Sequence, residues 1–200
     1  IRLNKNFEIV AGIFSDSKKI NILSSRYYGI KNIYFSIDKL LKMEKKLDAI
    51  VILTPIFGRV NIIKKILKRN ISLIVEKPLL SSLKEFEEVK KFTKNKFIVT
   101  TYNYTGYPMV REIKELCKKN FFGKINKIFV EMPSGPYLEK KTQVAKWRLK
   151  DASIPNIYMD LGSHVFSLIY FITNSFPVTL VSNSNTHGKF KKIKDDLMSF

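Results

Sequence analysis

Ile71-Ser72-Leu73-Ile74-Val75-Glu76-Lys77-Pro78 is the stretch from which the rest of the chain is read. A largely apolar run of strand length that stops at a charged pair and a proline predicts a strand buried on both faces, as in a parallel sheet. Open α/β sheets bind ligands at the carboxyl ends of their strands. Lys77 is therefore expected at the mouth of a ligand crevice. An isolated Glu-Lys-Pro is more often a surface lysine in a strand-to-helix loop, and it is the surrounding segments that shift the balance.

Strands and helices alternate on both sides of this run. Residues 8–14 and 48–53 are strand candidates, the second closed by Thr54-Pro55. Residues 37–46 read as a helix with Ser36 as its N-cap. Residues 60–68 read as another, with Val60, Ile63, Ile66 and Leu67 apolar. Beyond Pro78, Ser82-Leu83-Lys84-Glu85 is a capping box. It opens a helix striped by Leu83, Phe86, Val89 and Phe92, and residues 97–101 form a further strand. This βαβαβ order implies a parallel sheet with right-handed crossovers. The rhythm changes near residue 104, where a domain boundary is placed. Pro108 suits the first turn of a helix, with Met109, Ile113 and Leu116 along one side. Residues 125–132 read as an alternating strand of antiparallel character, 160–172 as a helix and 178–184 as a strand.

Composition sets the bounds. The 200 residues are 45% hydrophobic, which is enough for a core and argues against disorder. The longest apolar stretch, around 165–172, falls short of the roughly 20 residues that span a bilayer. Cys117 is the single cysteine. It excludes an internal disulfide, fits a reducing, cytoplasmic compartment, and is expected as a buried, inert thiol. The net charge of +19 raises the question of nucleic acid or an anionic membrane. The lysines are scattered opposite the apolar stripes, as at Lys64, Lys65 and Lys68, and no basic stretch is interleaved with aromatics as a single-strand groove requires. Compositional bias is the simpler source of the charge.

The second chemical feature is Asp160-Leu161-Gly162-Ser163-His164. Residues four apart share a helix face, so both side chains can address one site, and a carboxylate beside an imidazole can orient it and raise its basicity. Gly162 costs helix stability and suggests close approach by another group. An ordinary helix start with His164 on a core face explains the same residues equally well when they stand alone. A metal site is not expected, since His187 is the only other histidine.

Taken in order, Thr54-Pro55, Glu76-Lys77-Pro78, the stretch 101–112, Trp147-Arg148 and Asp160-x-x-x-His164 resemble the glucose–fructose oxidoreductase / inositol dehydrogenase / rhizopine catabolism (Gfo/Idh/MocA) family of NAD(P)-dependent oxidoreductases. The resemblance covers nearly the whole chain. It implies an incomplete Rossmann-type parallel sheet over residues 1–103, followed by part of an α+β substrate and oligomerisation domain over 104–200. It implies that Lys77, Asp160 and His164 are catalytic, that Ser15, Thr54, Pro55, Glu76, Lys77, Trp147 and Arg148 bind the cofactor, and that Lys77–Pro78 is a candidate cis bond. The expected reaction is hydride transfer between NADP or NAD and a sugar, cyclitol or related polyol. His164 would serve as base and Lys77 as the group that steadies charge on the reacting oxygen. Asp160 would fix the imidazole or grip a neighbouring hydroxyl. The expected partners are a small-molecule substrate and further copies of the chain, without nucleic acid, membrane or metal.

Departures from the family pattern carry their own expectations. The family's opening strand and Gly-x-Gly-x-x-Gly turn have no counterpart in this sequence, and residues 8–14 match the family's second strand. A fragment truncated at both ends is expected, with Lys194-Asp195-Asp196 resembling the start of a sheet strand. Arg59 stands where the family often has a histidine, and Pro155-Asn156 replaces a common glycine pair. An acidic residue usually binds the ribose at the second strand's end. Ser15 takes that place here with Lys18 and Lys19 nearby, which tilts the choice toward NADP, whereas Asp16 would serve NAD in a register shifted by one. Two other classes stay open: a non-catalytic binding protein on the same scaffold, and a basic nucleic-acid-binding module.

Overall fold

The structure is a computed structural model that describes residues 6–14, 17–133, 153–187 and 197–199. Its centre is a parallel sheet in the order β3 (Ala49–Ile52), β4 (Ser72–Glu76) and β5 (Ile98–Thr101). β4 is central, with Ile74 facing Val51 on one side and Val99 on the other. A shorter parallel pair, β1 (Ala11–Gly12) with β2 (Asn32–Ile33), forms a separate sheet. The fold class is mixed α/β, as the alternating pattern predicts.

Helices α2 (Ile37–Met43), α3 (Arg59–Leu67) and α4 (Leu83–Lys90) flank the sheet; the stripe predicted for α3 is buried in the core, whereas of the stripe predicted for α4 Val89 is buried and Leu83 and Phe86 are exposed. Ile63 and Ile66 of α3 and Leu73 and Val75 of β4 are fully buried, with Leu40, Ile52 and Val89 packed around them. Lys64 and Lys65 lie on the outer side and tie α3 to its neighbours, at 2.8 Å to Glu88 and 2.6 Å to Asp38. Both pairs are solvated, so each contributes about 0–1 kcal/mol. Gly58, at φ 79°, adopts the left-handed turn that lets the chain swing from β3 into α3.

Several segments depart from the expectations. Residues 18–28, for which no element was expected, form helix α1 (Lys18–Tyr28). Its buried positions are Asn21 and Ser25. Asn21 accepts from the Phe14 N–H at 3.0 Å and donates to Ser17 O at 3.1 Å. The strand expected over 8–14 is only Ala11–Gly12, because β2 offers two residues to pair with. Residues 125–132 are exposed and form no strand, with Phe129 81% exposed. A strand forms only where a partner backbone is available, and the described residues provide none there. Of 178–184 only the end pairs, as β6 (Asn183–Asn185) antiparallel to β7 (Leu197–Ser199). Cys117 is half-buried rather than buried.

A 3-10 turn (Asn103–Gly106) leads from β5 into α5 (Pro108–Lys118). The helix expected at 160 starts earlier, as a π-helical turn (Tyr158–Gly162) that runs into α6 (Ser163–Thr173). α6 packs on α5 and on the 3-10 turn, which brings its first turn over the carboxyl end of β5. Among the described residues no helix is long and apolar enough to cross a membrane.

Candidate functional site

The site lies at the carboxyl ends of β3, β4 and β5, where side chains lace the strand ends together. β4 ends at Glu76, whose Oε2 accepts from Thr101 Oγ1 of β5 at 2.9 Å. Between β3 and β4 the link is Arg59, which is 2% exposed. Its Nη1 donates to Glu76 O at 2.6 Å and Pro78 O at 2.5 Å, and its Nη2 donates to Thr54 O. Burial pushes the Arg59 guanidinium down from its ordinary value, against the opposing pull of Glu76 and Glu85. Downstream, Lys77–Pro78 is cis, as expected.

Lys77 leaves this frame and meets the π turn. Its Nζ lies 2.8 Å from Asp160 Oδ1 and 2.7 Å from Asp160 O, a pairing across 83 residues of sequence. Both side chains are largely buried, at 12% and 22% exposed. This double contact is charge-assisted and shielded from water, which makes it stronger than a surface pair. A π turn is a common device at functional sites, and here it aims both the carboxylate and the backbone carbonyl of Asp160 at one ammonium.

His164 sits one turn further on, in the first turn of α6, and is 6% exposed. Tyr104 and Tyr102 meet its ring edge-on, at centroid distances of 4.7 and 5.9 Å. Its Nδ1 is buried with no hydrogen-bond partner. The carboxylate of Asp160 therefore does not orient the imidazole through Nδ1, as one of the expectations had it; its Oδ1 pairs with Lys77. Burial, then the Lys77 charge, holds His164 below its ordinary value, opposed by Asp160 and Glu76. The imidazole is thus neutral at physiological pH and able to accept a proton.

A cleft of about 280 Å³ opens among these residues, lined by Thr54, Pro55, Arg59, Glu76, Lys77 and Asp160 among others. Of the predicted site residues, Thr54, Pro55, Glu76, Lys77 and Asp160 converge on it, and His164 lies beside it. Ser15, Trp147 and Arg148 fall outside the described residues. Sequence reasoning did not assign Tyr102 and Tyr104, although both follow β5 directly and so stand at a strand's carboxyl end. It also left Asn156 without a place in the site; that residue is 3% exposed and lines the cleft. Among the described residues no cluster of three or more His, Cys, Asp or Glu is placed to hold a metal.

Comparison with known proteins agrees with this architecture. An oxidoreductase of Bacillus subtilis (strain 168), itself uncharacterized, is 24% identical over 188 residues, covering 86% of this chain and 47% of that protein. The chain thus spans about half the length of the curated relative it matches. A myo-inositol 2-dehydrogenase from Lactobacillus plantarum superposes with a TM-score of 0.72 at 18% identity, over 90% of this chain and 53% of the other. An inositol dehydrogenase homolog from Azotobacter vinelandii, complexed with NADH and myo-inositol, gives 0.68 at 20% identity, over 85% and 46%. At these identities the structural likeness is one of fold. The sequence profile of the Gfo/Idh/MocA oxidoreductase family, described by its NAD-binding Rossmann fold, matches residues 2–104, and the chain belongs to that family.

Proposed function

We propose that the whole protein is an NAD(P)-dependent oxidoreductase acting on an alcohol of a sugar, cyclitol or related polyol. The observation that carries this reading is the Lys77 ammonium held 2.8 Å from Asp160 Oδ1 at the carboxyl end of β4, with a neutral, buried imidazole beside it. When bound, the nicotinamide takes or gives the hydride. The described residues fit that end of a dinucleotide: a cleft at the strand ends and a shielded cation paired with Asp160. Thr54, Pro55 and Glu76 would hold the cofactor there. Ser15, with Lys18 and Lys19 near it, would face the ribose and favour NADP over NAD, and Trp147 and Arg148 would complete the cofactor contacts. Residues 1–103 would form the dinucleotide-binding unit and 104–200 part of the substrate domain.

The chain's own residues handle charge and proton. His164 accepts the alcohol proton, for which an imidazole neutral at pH 7 is suited. Lys77 donates to the reacting oxygen as charge develops on it. Asp160 holds the Lys77 ammonium in place, and its charge also raises the proton affinity of the imidazole. A steady-state survey of sugars and inositols with NAD and NADP tests this. Turnover of at least one polyol with either cofactor is expected. Failure of every polyol, together with no quenching of protein fluorescence by NADH or NADPH, would overturn it.

A further inference from the structure

We propose that Arg59 is a positioning residue: its guanidinium, buried between the carboxyl ends of β3 and β4, clamps the backbone on both sides of Lys77 and thereby holds the Lys77 ammonium at Asp160. The acceptors are distributed in a way that supports this. Glu76 O and Pro78 O, the carbonyls immediately before and after Lys77, both receive Arg59 Nη1, at 2.6 and 2.5 Å, with Leu79 O at 3.5 Å. Thr54 O, just beyond the end of β3, receives Nη2. One side chain therefore ties the turn that carries Lys77 to the neighbouring strand.

The charge makes the clamp specific. Arg59 is 2% exposed, and among the described residues it forms no ion pair. With no carboxylate in direct contact, the buried cation relies on carbonyl dipoles at its Nη atoms and on the more distant charges of Glu76 and Glu85; its Nε has no hydrogen-bond partner, so losing the carbonyls would strand the charge further. A planar fork serves acceptors in divergent directions, whereas a lysine offers one nitrogen on a flexible stem. Core filling alone does not require a cation here, and it does not explain why most of the acceptors belong to the Lys77 turn.

The catalytic consequence rests on the reading of Lys77 given above, but the clamp itself can be tested without it. Arg59→Lys and Arg59→Gln in the whole protein, free of cofactor and substrate, are compared by reductive methylation with formaldehyde and cyanoborohydride, read lysine by lysine by mass spectrometry. Lys77 should react several-fold faster in both variants, relative to Lys64, which stays anchored to Glu88. An unchanged Lys77 rate overturns the clamp, and so does a rise shared equally by Lys64 and Lys77, which would mean general loosening. Nitrogen NMR of the unmutated protein covers the case in which the variants do not fold. Slow exchange and hindered rotation of the Arg59 Nη groups are expected, and free rotation like that of a surface arginine overturns the proposal. Turnover on a verified polyol should fall about 100-fold in Arg59→Lys, the scale of a misplacement near 1 Å, with the cofactor KM little changed. Faster Lys77 labelling with unaltered turnover would leave the clamp standing and remove Lys77 from the catalytic reading instead.

Discussion

His164 carries a buried Nδ1 with no partner, and an unsatisfied polar atom costs about 1–3 kcal/mol. Its electrostatics have a definite sign. Burial first and the Lys77 charge second lower its proton affinity, while Asp160 and Glu76 raise it. Lys77→Met should therefore raise the His164 titration midpoint, and Asp160→Asn should lower it further. The imidazole C2–H signal in proton NMR reads both, and movement in the opposite sense in either variant contradicts the arrangement. Since the folded value lies below the unfolded one, the unfolded chain binds more protons between the two. The stability contribution is complete above the unfolded value, about 6.5, and is lost as pH falls through the folded one. In kinetics, His164→Ala should cost roughly 100- to 10,000-fold in turnover and Lys77→Ala about 100- to 1000-fold, with cofactor affinity nearly kept. Near-native turnover in both variants would refute the mechanism. At this scale the meeting of Lys77 and Asp160 joins two motifs, a strand end and a helix start, that only the family resemblance had linked. The Arg59 clamp was not legible, because its acceptors are backbone carbonyls, which leave no mark in a sequence.

Elements were legible where an apolar stripe or a cap announced them. Ser82 accepts from the Glu85 N–H at 3.2 Å, as the capping box predicts. The reciprocal half lands one residue upstream, where Glu85 Oε2 accepts from Ser81 N at 2.8 Å and Ser81 Oγ at 2.7 Å. The box thus secures the turn that follows Pro78 as well as α4. Ser82→Ala should cost about 1 kcal/mol. Ile63→Ala, at a site fully buried between α3 and the sheet, should cost about 2–5 kcal/mol. Denaturant melts measure both, and an Ile63→Ala loss no larger than that of Ser82→Ala would mean the core is not centred on α3. Helix α1 turns an unexpected face inward: Asn21 and Ser25, held by hydrogen bonds, are buried, while Ile20, Leu23 and Tyr27, at helical spacing, stay exposed. Ser17 and Gly29, which cap its two ends, were the available signal.

For the molecule as a whole, the α/β architecture followed from the alternation of elements, whereas strand extents did not. A strand's length depends on the partner beside it, and residues 8–14 and 125–132 have the composition of strands without partners of that length among the described residues. Net charge is the remaining whole-molecule property. A charge of +19 would drive nucleic-acid binding if it were gathered on one face. Among the described residues the lysines are instead spread over α2, α3, α4 and α5, and several are paired: Lys64 with Glu88, Lys65 with Asp38, Lys90 with Glu87 and Lys118 with Glu115. A paired lysine releases fewer counterions from a phosphate backbone than a free one, and scattered lysines cannot contact one duplex together. Binding to a DNA duplex should therefore be of the non-specific kind, with a Kd no tighter than about 10⁻⁶ M near physiological salt and a steep decline as salt rises. Fluorescence anisotropy with a labelled duplex across a salt series measures this. Submicromolar binding that persists at roughly 0.15 M ionic strength would show that the charge is organised for nucleic acid. The basic composition would then have to be read as function rather than as bias.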